Sequence, residues 1–114
     1  MSEDIYRDIS PEELLALYDK NKKLCLLDVR EVEEFRALRA SISQLLPLSQ
    51  LAQGQGLDSI KAAKDEPIYV VCRSGRRSQS ACEILHEAGF KKLYNVAGGM
   101  EAWRLGRLPL LETD

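Results

Sequence analysis

The sequence predicts an α/β domain built on a mainly parallel sheet. Three observations carry this. The runs Leu24 to Val29 and Pro67 to Cys72 are apolar and short, the length of buried strands and not of helices. Between such runs lie stretches with helical spacing and with helical start and stop signals. Strands separated by helices need crossover connections, which favour parallel pairing. A length of 114 residues suits one domain over residues 1–114, and an apolar share of 45% is enough for a core.

Along the chain, Ile5 to Ile9 is a short extended segment. Ser10-Pro11-Glu12-Glu13 then opens a helix. Ser10 serves as cap, Pro11 fits the first helical position, and Glu13 completes a capping box. Leu14, Leu15, Leu17 and Tyr18 give this helix its apolar stripe. After the strand at Leu24 to Val29, Glu31 to Leu38 reads as helical. Ile42 to Leu46 is a weaker strand, stopped by Pro47. Leu48 to Lys64 is mixed: a short helix, a turn at Gly54-Gln55-Gly56, then a second helix. Pro67 to Cys72 is the clearest strand, β-branched and aromatic. Ser78 to Ala88 is the clearest helix, ended by Gly89. Leu93 to Val96 is a further strand, Gly98-Gly99 a turn, and Met100 to Leu105 a last short helix.

Charge and composition exclude several classes. A net charge of −2, with 30% charged residues of both signs, does not suit a general nucleic-acid binder. Met1 to Asp8 is polar and acidic, unlike a secretory signal, and no apolar run approaches a membrane span. The expected compartment is the cytoplasm. Three widely spaced cysteines, Cys25, Cys72 and Cys82, make a poor disulfide framework. With no CxxC pair and a single histidine, neither a structural zinc site nor a thioredoxin-type dithiol is indicated. No metal and no organic cofactor is expected.

The chemistry concentrates at Cys72-Arg73-Ser74-Gly75-Arg76-Arg77-Ser78. A buried strand ends at a cysteine, a short loop with glycine, serine and arginines follows, and a helix begins at once. Catalytic groups of such sheets lie at the carboxyl ends of strands. The loop places the sulfur over backbone N–H groups and at the positive end of a helix, both of which favour an anion. Arg73, Arg76 and Arg77 add positive charge if they reach the site. A depressed thiol pKa and a nucleophilic thiolate are expected. Gly75 supplies a backbone angle closed to other residues.

The other cysteines read differently. Cys25 lies inside an apolar run and is expected to pack. Cys82 sits near the core face of the helix after the loop and is also expected to pack, with a redox partnership to Cys72 as the lesser alternative. His86 shares a polar helix face with Gln79 and Glu83, roughly 13 Å along the helix from Arg77. It is expected at the surface, which leaves no general base for protease-like chemistry. A pre-formed thiolate attacking sulfane sulfur needs none.

Three segments together resemble the rhodanese family. They are Leu26-Leu27-Asp28-Val29-Arg30-Glu31 with Glu33-Glu34-Phe35, the loop Cys72 to Ser78, and Leu93 to Trp103 with its Gly98-Gly99 and Trp103. They span most of the chain in the family's order and spacing. The resemblance implies a central five-stranded, mainly parallel sheet flanked by helices on both faces. It implies that Cys72 carries sulfur as a persulfide, cradled by the amides of Arg73, Ser74, Gly75, Arg76, Arg77 and Ser78. Asp28 and Arg30 match positions that are structural or line the site, with an internal ion pair the preferred reading. Gly98, Gly99 and Trp103 read as turn and core. One stretch departs from the pattern: Leu38 to Ser43 lacks the histidine and glycines usual there, so the local turn is expected to differ.

Loop length separates two reactions. Phosphatases with a similar loop place five residues between cysteine and arginine. Here that position is Ser78, and Arg77 leaves only four residues between itself and Cys72. The tighter ring suits one sulfur atom better than a tetrahedral phosphate or arsenate. The expected activity is therefore sulfur transfer by double displacement, from thiosulfate or a persulfide donor to a thiol, or to cyanide in vitro. The expected partners are a small anionic sulfur donor and a thiol acceptor or a protein persulfide, with no nucleic acid bound directly and no membrane. The alternative is a carrier module in a protein sulfur relay, with little thiosulfate activity.

Overall fold

The structure, a computed structural model, describes residues 5–112. In chain order the elements are β1 (Arg7–Ile9), α1 (Pro11–Lys20), β2 (Cys25–Asp28), α2 (Val32–Ala37), β3 (Leu38–Ala40) and β4 (Ser43–Leu45), then α3 (Leu48–Leu51) and a 3₁₀ turn (Leu57–Ser59). They continue with β5 (Pro67–Val71), α4 (Arg76–Glu87), β6 (Lys92–Val96), α5 (Gly99–Leu105) and β7 (Leu110–Glu112). Among the described residues, five strands form one sheet in the order β1-β6-β5-β2-β4. Every neighbouring pair in it is parallel.

Successive side chains of a strand point to opposite faces, and here both faces are apolar. Leu27, Ile68, Val70 and Leu93 pack against Leu51 of α3 and against Ala81, Cys82 and Leu85 of α4. Leu26, Tyr69, Val71 and Val96 pack on the other side, with Leu14 of α1 and Met100 and Trp103 of α5. This is the α/β sheet covered by helices on both faces that the sequence predicts. Its register sets Asp28 beside Val71 and Val70 beside Asn95, so β2, β5 and β6 end level with one another.

The local signals act as expected at α1. Ser10 Oγ accepts from Glu13 N at 3.1 Å, and Glu13 Oε1 accepts from Ser10 N at 3.2 Å. Leu17, however, is 40% exposed, so the apolar stripe of α1 is narrower than the leucine pattern suggests.

Three expectations need correction. The helix after the cysteine starts at Arg76, two residues before Ser78, because Gly75 takes φ +111° and turns the chain straight into the helix. The second helix expected before Lys64 is a single 3₁₀ turn. The chain then tightens again, with Glu66 N donating to Ala63 O at 3.0 Å, to enter β5. Leu38, expected to end a helix, begins β3, which pairs antiparallel with β7. That pairing joins residues about seventy positions apart and has no local signature. It also forms the turn where the family's histidine and glycines are missing: Ser43 Oγ donates to Ala40 O at 2.7 Å and Ser41 N to Pro109 O at 3.1 Å.

Candidate active site

Cys72 follows β5 directly and is 1% exposed. Gly75 N donates to its Sγ at 3.0 Å, and Ser78 Oγ lies 3.4 Å from the sulfur. Burial pushes the thiol pKa up. The Ser78 hydroxyl and the amides of Ser78, Gly75 and Ser74 outweigh burial and hold it below the ordinary value. Three of the six loop positions expected to form the cradle thus direct an N–H toward the sulfur.

The loop is held from behind by α5. Met100 N donates to Cys72 O at 2.8 Å and Glu101 N to Arg73 O at 3.1 Å. A peptide unit is planar with its C=O and N–H opposed, so carbonyls turned toward α5 turn the following amides away from it. Gly99 permits the approach. It has φ +58°, and a Cβ there would lie 2.4 Å from Cys72 O and 2.6 Å from the Arg73 carbonyl. Gly99 is therefore more than a turn residue: it fixes the aim of the loop. Trp103 is fully buried, as core.

The three arginines differ in what they reach, and of them Arg77 carries its field to Cys72. Arg77 makes a bidentate pair with Glu34, at 2.6 and 2.8 Å, which ties α4 to α2. That guanidinium holds the Glu34 carboxyl down at about 2. Arg76 is exposed, and Arg73 is exposed with a 3.9 Å contact to Glu101.

Asp28 and Arg30 form a buried ion pair. Arg30 Nε reaches Asp28 Oδ1 at 3.0 Å, Arg30 Nη2 reaches Asp28 Oδ2 at 2.8 Å, and Nη2 also donates to Leu38 O at 2.5 Å. The pair binds the end of β2 to the start of β3. Arg30 also lines a pocket of about 230 Å³ with Glu34, Leu38, Arg73, Met100, Glu101 and Arg104. Arg30 thus belongs both to the ion pair and to this pocket wall, whereas Asp28 belongs to the ion pair alone.

Cys25 and Cys82 are free thiols with raised pKa, burial being the chief cause. Cys25 is pushed up to about 11 and Cys82, fully buried, to about 12. His86 is exposed. Two contributors were missed from the sequence. Asn95 is 3% exposed, with its side chain in contact with Ser78 Oγ and donating to Asp8 Oδ1 at 3.0 Å. A polar residue inside an apolar strand was the available signal for Asn95. Asp8 gave none.

Comparison with known proteins agrees with this geometry. The profile of the rhodanese-like domain matches residues 10–105. YrkF of Bacillus subtilis, provisionally named a sulfur carrier protein, is 33% identical over 96 residues, which cover 84% of this chain and 50% of YrkF. The chain thus spans about half the length of that relative. Thiosulfate sulfurtransferase GlpE of Vibrio cholerae is 32% identical over 91 residues, 80% of this chain and 82% of GlpE. The crystal structure of a rhodanese-like domain protein from Staphylococcus aureus superposes with a TM-score of 0.73 at 32% identity, covering 85% of this chain and 90% of that one.

Proposed function

The chain belongs to the rhodanese-like family of sulfurtransferases and sulfur carriers, and from that premise we propose that it transfers sulfane sulfur through a persulfide on Cys72. The observation that carries the reading is the Cys72 sulfur, buried, with the Gly75 amide at 3.0 Å and the amides of Ser74 and Ser78 turned toward it. Preorganised N–H groups stabilise sulfur charge without reorganising. They serve the thiolate first and the outer sulfur of the persulfide afterwards.

In the first half-reaction the Cys72 thiolate attacks the outer sulfur of thiosulfate. The new S–S bond forms to Cys72, the bond to the sulfite sulfur breaks, and sulfite leaves with that electron pair. In the second, an acceptor thiolate attacks the outer sulfur, and the Cys72 thiolate is restored. No proton transfer is required, in keeping with a site whose lone histidine stands on the surface. Arg77, already bonded to Glu34, is not free to clamp a phosphate, which disfavours phosphoryl chemistry. Arg73 and Arg104 at the rim of the 230 Å³ pocket suit a small anionic donor. Free thiols suit a reducing compartment, and we place the reaction in the cytoplasm.

Initial rates measured against thiosulfate at several cyanide levels test the covalent carrier. Parallel reciprocal lines are expected from double displacement; intersecting lines would contradict it. A second reading, a carrier module charged by a protein persulfide, draws on the likeness to YrkF. It is favoured if a persulfidated protein donor loads Cys72 much faster than thiosulfate does.

A further inference from the structure

The Ser78 hydroxyl has one hydrogen and three neighbours able to receive it. Cys72 Sγ lies at 3.4 Å, Gly75 O at 3.0 Å, and Asn95 Oδ1 is in direct contact. What Asn95 presents to Ser78 is decided one residue further out. Asn95 Nδ2 donates to Asp8 Oδ1 at 3.0 Å, and a carboxylate accepts but does not donate. Reversing the Asn95 amide would set its oxygen against the Asp8 carboxylate, acceptor against acceptor. Asp8 therefore keeps the amide oxygen facing Ser78, and that oxygen competes for the hydroxyl proton.

We propose that Asp8, acting through Asn95, sets Asn95 Oδ1 in competition with Cys72 for the Ser78 proton, which weakens the help Ser78 gives the thiolate and biases the site toward the forms in which the inner sulfur needs no donor from Ser78. There are two such forms. In the thiol, S–H donates to Ser78 Oγ. In the persulfide, the negative charge sits on the outer sulfur, within reach of the loop amides. The bare thiolate is the form that loses, because it competes with Asn95 Oδ1 for one proton. Asp8 is exposed and touches no reacting atom; it is a positioning residue. The inference rests on reading Cys72 as the sulfur carrier, but its test needs no sulfur transfer.

Other charged or titratable groups near this cluster are Arg77, whose field reaches Cys72 and Asp28, its partner Glu34, the Asp28–Arg30 pair, and the buried Cys82, on which Asp8 and Glu83 both act. All are unchanged in the variants that follow. The measurement is the midpoint of Cys72 thiolate formation, from the pH dependence of iodoacetamide labelling at Cys72. Asp8→Ala removes both the charge and the acceptor oxygen. Asp8→Asn removes the charge and keeps an acceptor oxygen. Wiring through Asn95 is expected to lower the midpoint by about half a unit or more in Asp8→Ala, and by clearly less in Asp8→Asn. In a Ser78→Ala background the Asp8→Ala shift should vanish. In high salt it should persist, since only a through-space charge effect is screened. Equal shifts in the two Asp8 variants, collapse of the shift in salt, or no shift at all would overturn the proposal. The exposed Asp8 substitutions and the salt series stand without the Ser78 variant. Failure of sulfur loading with an intact shift would count against the proposed function alone.

Discussion

Cys25, Cys72 and Cys82 differ in what surrounds the sulfur, and that difference decides which one reacts. Burial acts on all three and favours the neutral thiol. Only at Cys72 do hydrogen-bond donors outweigh it. Limiting iodoacetamide at neutral pH should therefore label Cys72 well ahead of the other two, by tenfold or more, as read by peptide mass spectrometry. Equal labelling would contradict the assignment. The pH dependence follows by sign. A thiolate with a lowered pKa persists below the ordinary thiol range, so sulfur loading should fall only as pH drops through that lowered value. Much of this was legible from Cys72 to Ser78 alone: a strand end, a glycine and a helix start define the cradle. The partners of the arginines were not legible, because sequence lists their charge but not what they pair with. Glu34, which claims Arg77, lies 43 positions away.

At the scale of elements, the site is an agreement among α2, α4 and α5 around the end of β5. Gly99→Ala tests the contribution of α5. The Cβ meets backbone carbonyls at 2.4 and 2.6 Å, so the loop or the helix must move. Gly54→Ala is the control, since Gly54 also has positive φ, +75°, with nothing within 4 Å. Both substitutions should cost about 1–2 kcal/mol of stability from the left-handed backbone. Only Gly99→Ala should also lose sulfur transfer, by tenfold or more in kcat/KM. The Glu34–Arg77 pair tests the contribution of α2. Its folded-state carboxyl pKa is depressed from 4.5 to about 2, so its stabilisation is present above 4.5 and lost as pH falls toward 2. About a third of each side chain is exposed, which keeps the effect modest, about 1 kcal/mol or less. In urea unfolding, Glu34→Gln should be weaker than the parent at pH 6 and should converge on it at low pH; a gap independent of pH would contradict the pair. The capping box of α1 was legible because it is local. The β3–β7 pairing was not, because nothing within either short segment names the other.

Across the whole molecule, the lysines gather at the end of the sheet where its strands begin, with Arg7 beside Lys91 and Lys92. The lysines fall at Lys20, Lys22 and Lys23, at Lys61 and Lys64, and at Lys91 and Lys92, around the loops that enter β2, β5 and β6. Arg30 follows β2, Arg73 follows β5, and Arg104 shares their pocket, at the end where those strands finish. Positive charge at the site is therefore guanidinium charge, suited to bidentate oxyanions. The apparent affinity for thiosulfate should weaken as ionic strength rises, and Arg73→Ala should flatten that dependence. The alternation of strand and helix announced the α/β class. The strand order and the level ends of β2, β5 and β6, which gather the site, come from long-range register that no window of sequence contains.

The central claim is that Cys72 carries sulfur covalently, and intact mass tests it most directly. The reduced protein is incubated with thiosulfate beside a Cys72→Ala variant, and both are weighed before and after cyanide. The expected result is a gain of one sulfur atom in the parent, absent from the variant and removed by cyanide. A parent that gains no sulfur from thiosulfate or from a persulfidated protein, or a variant that gains as much as the parent, would contradict the claim.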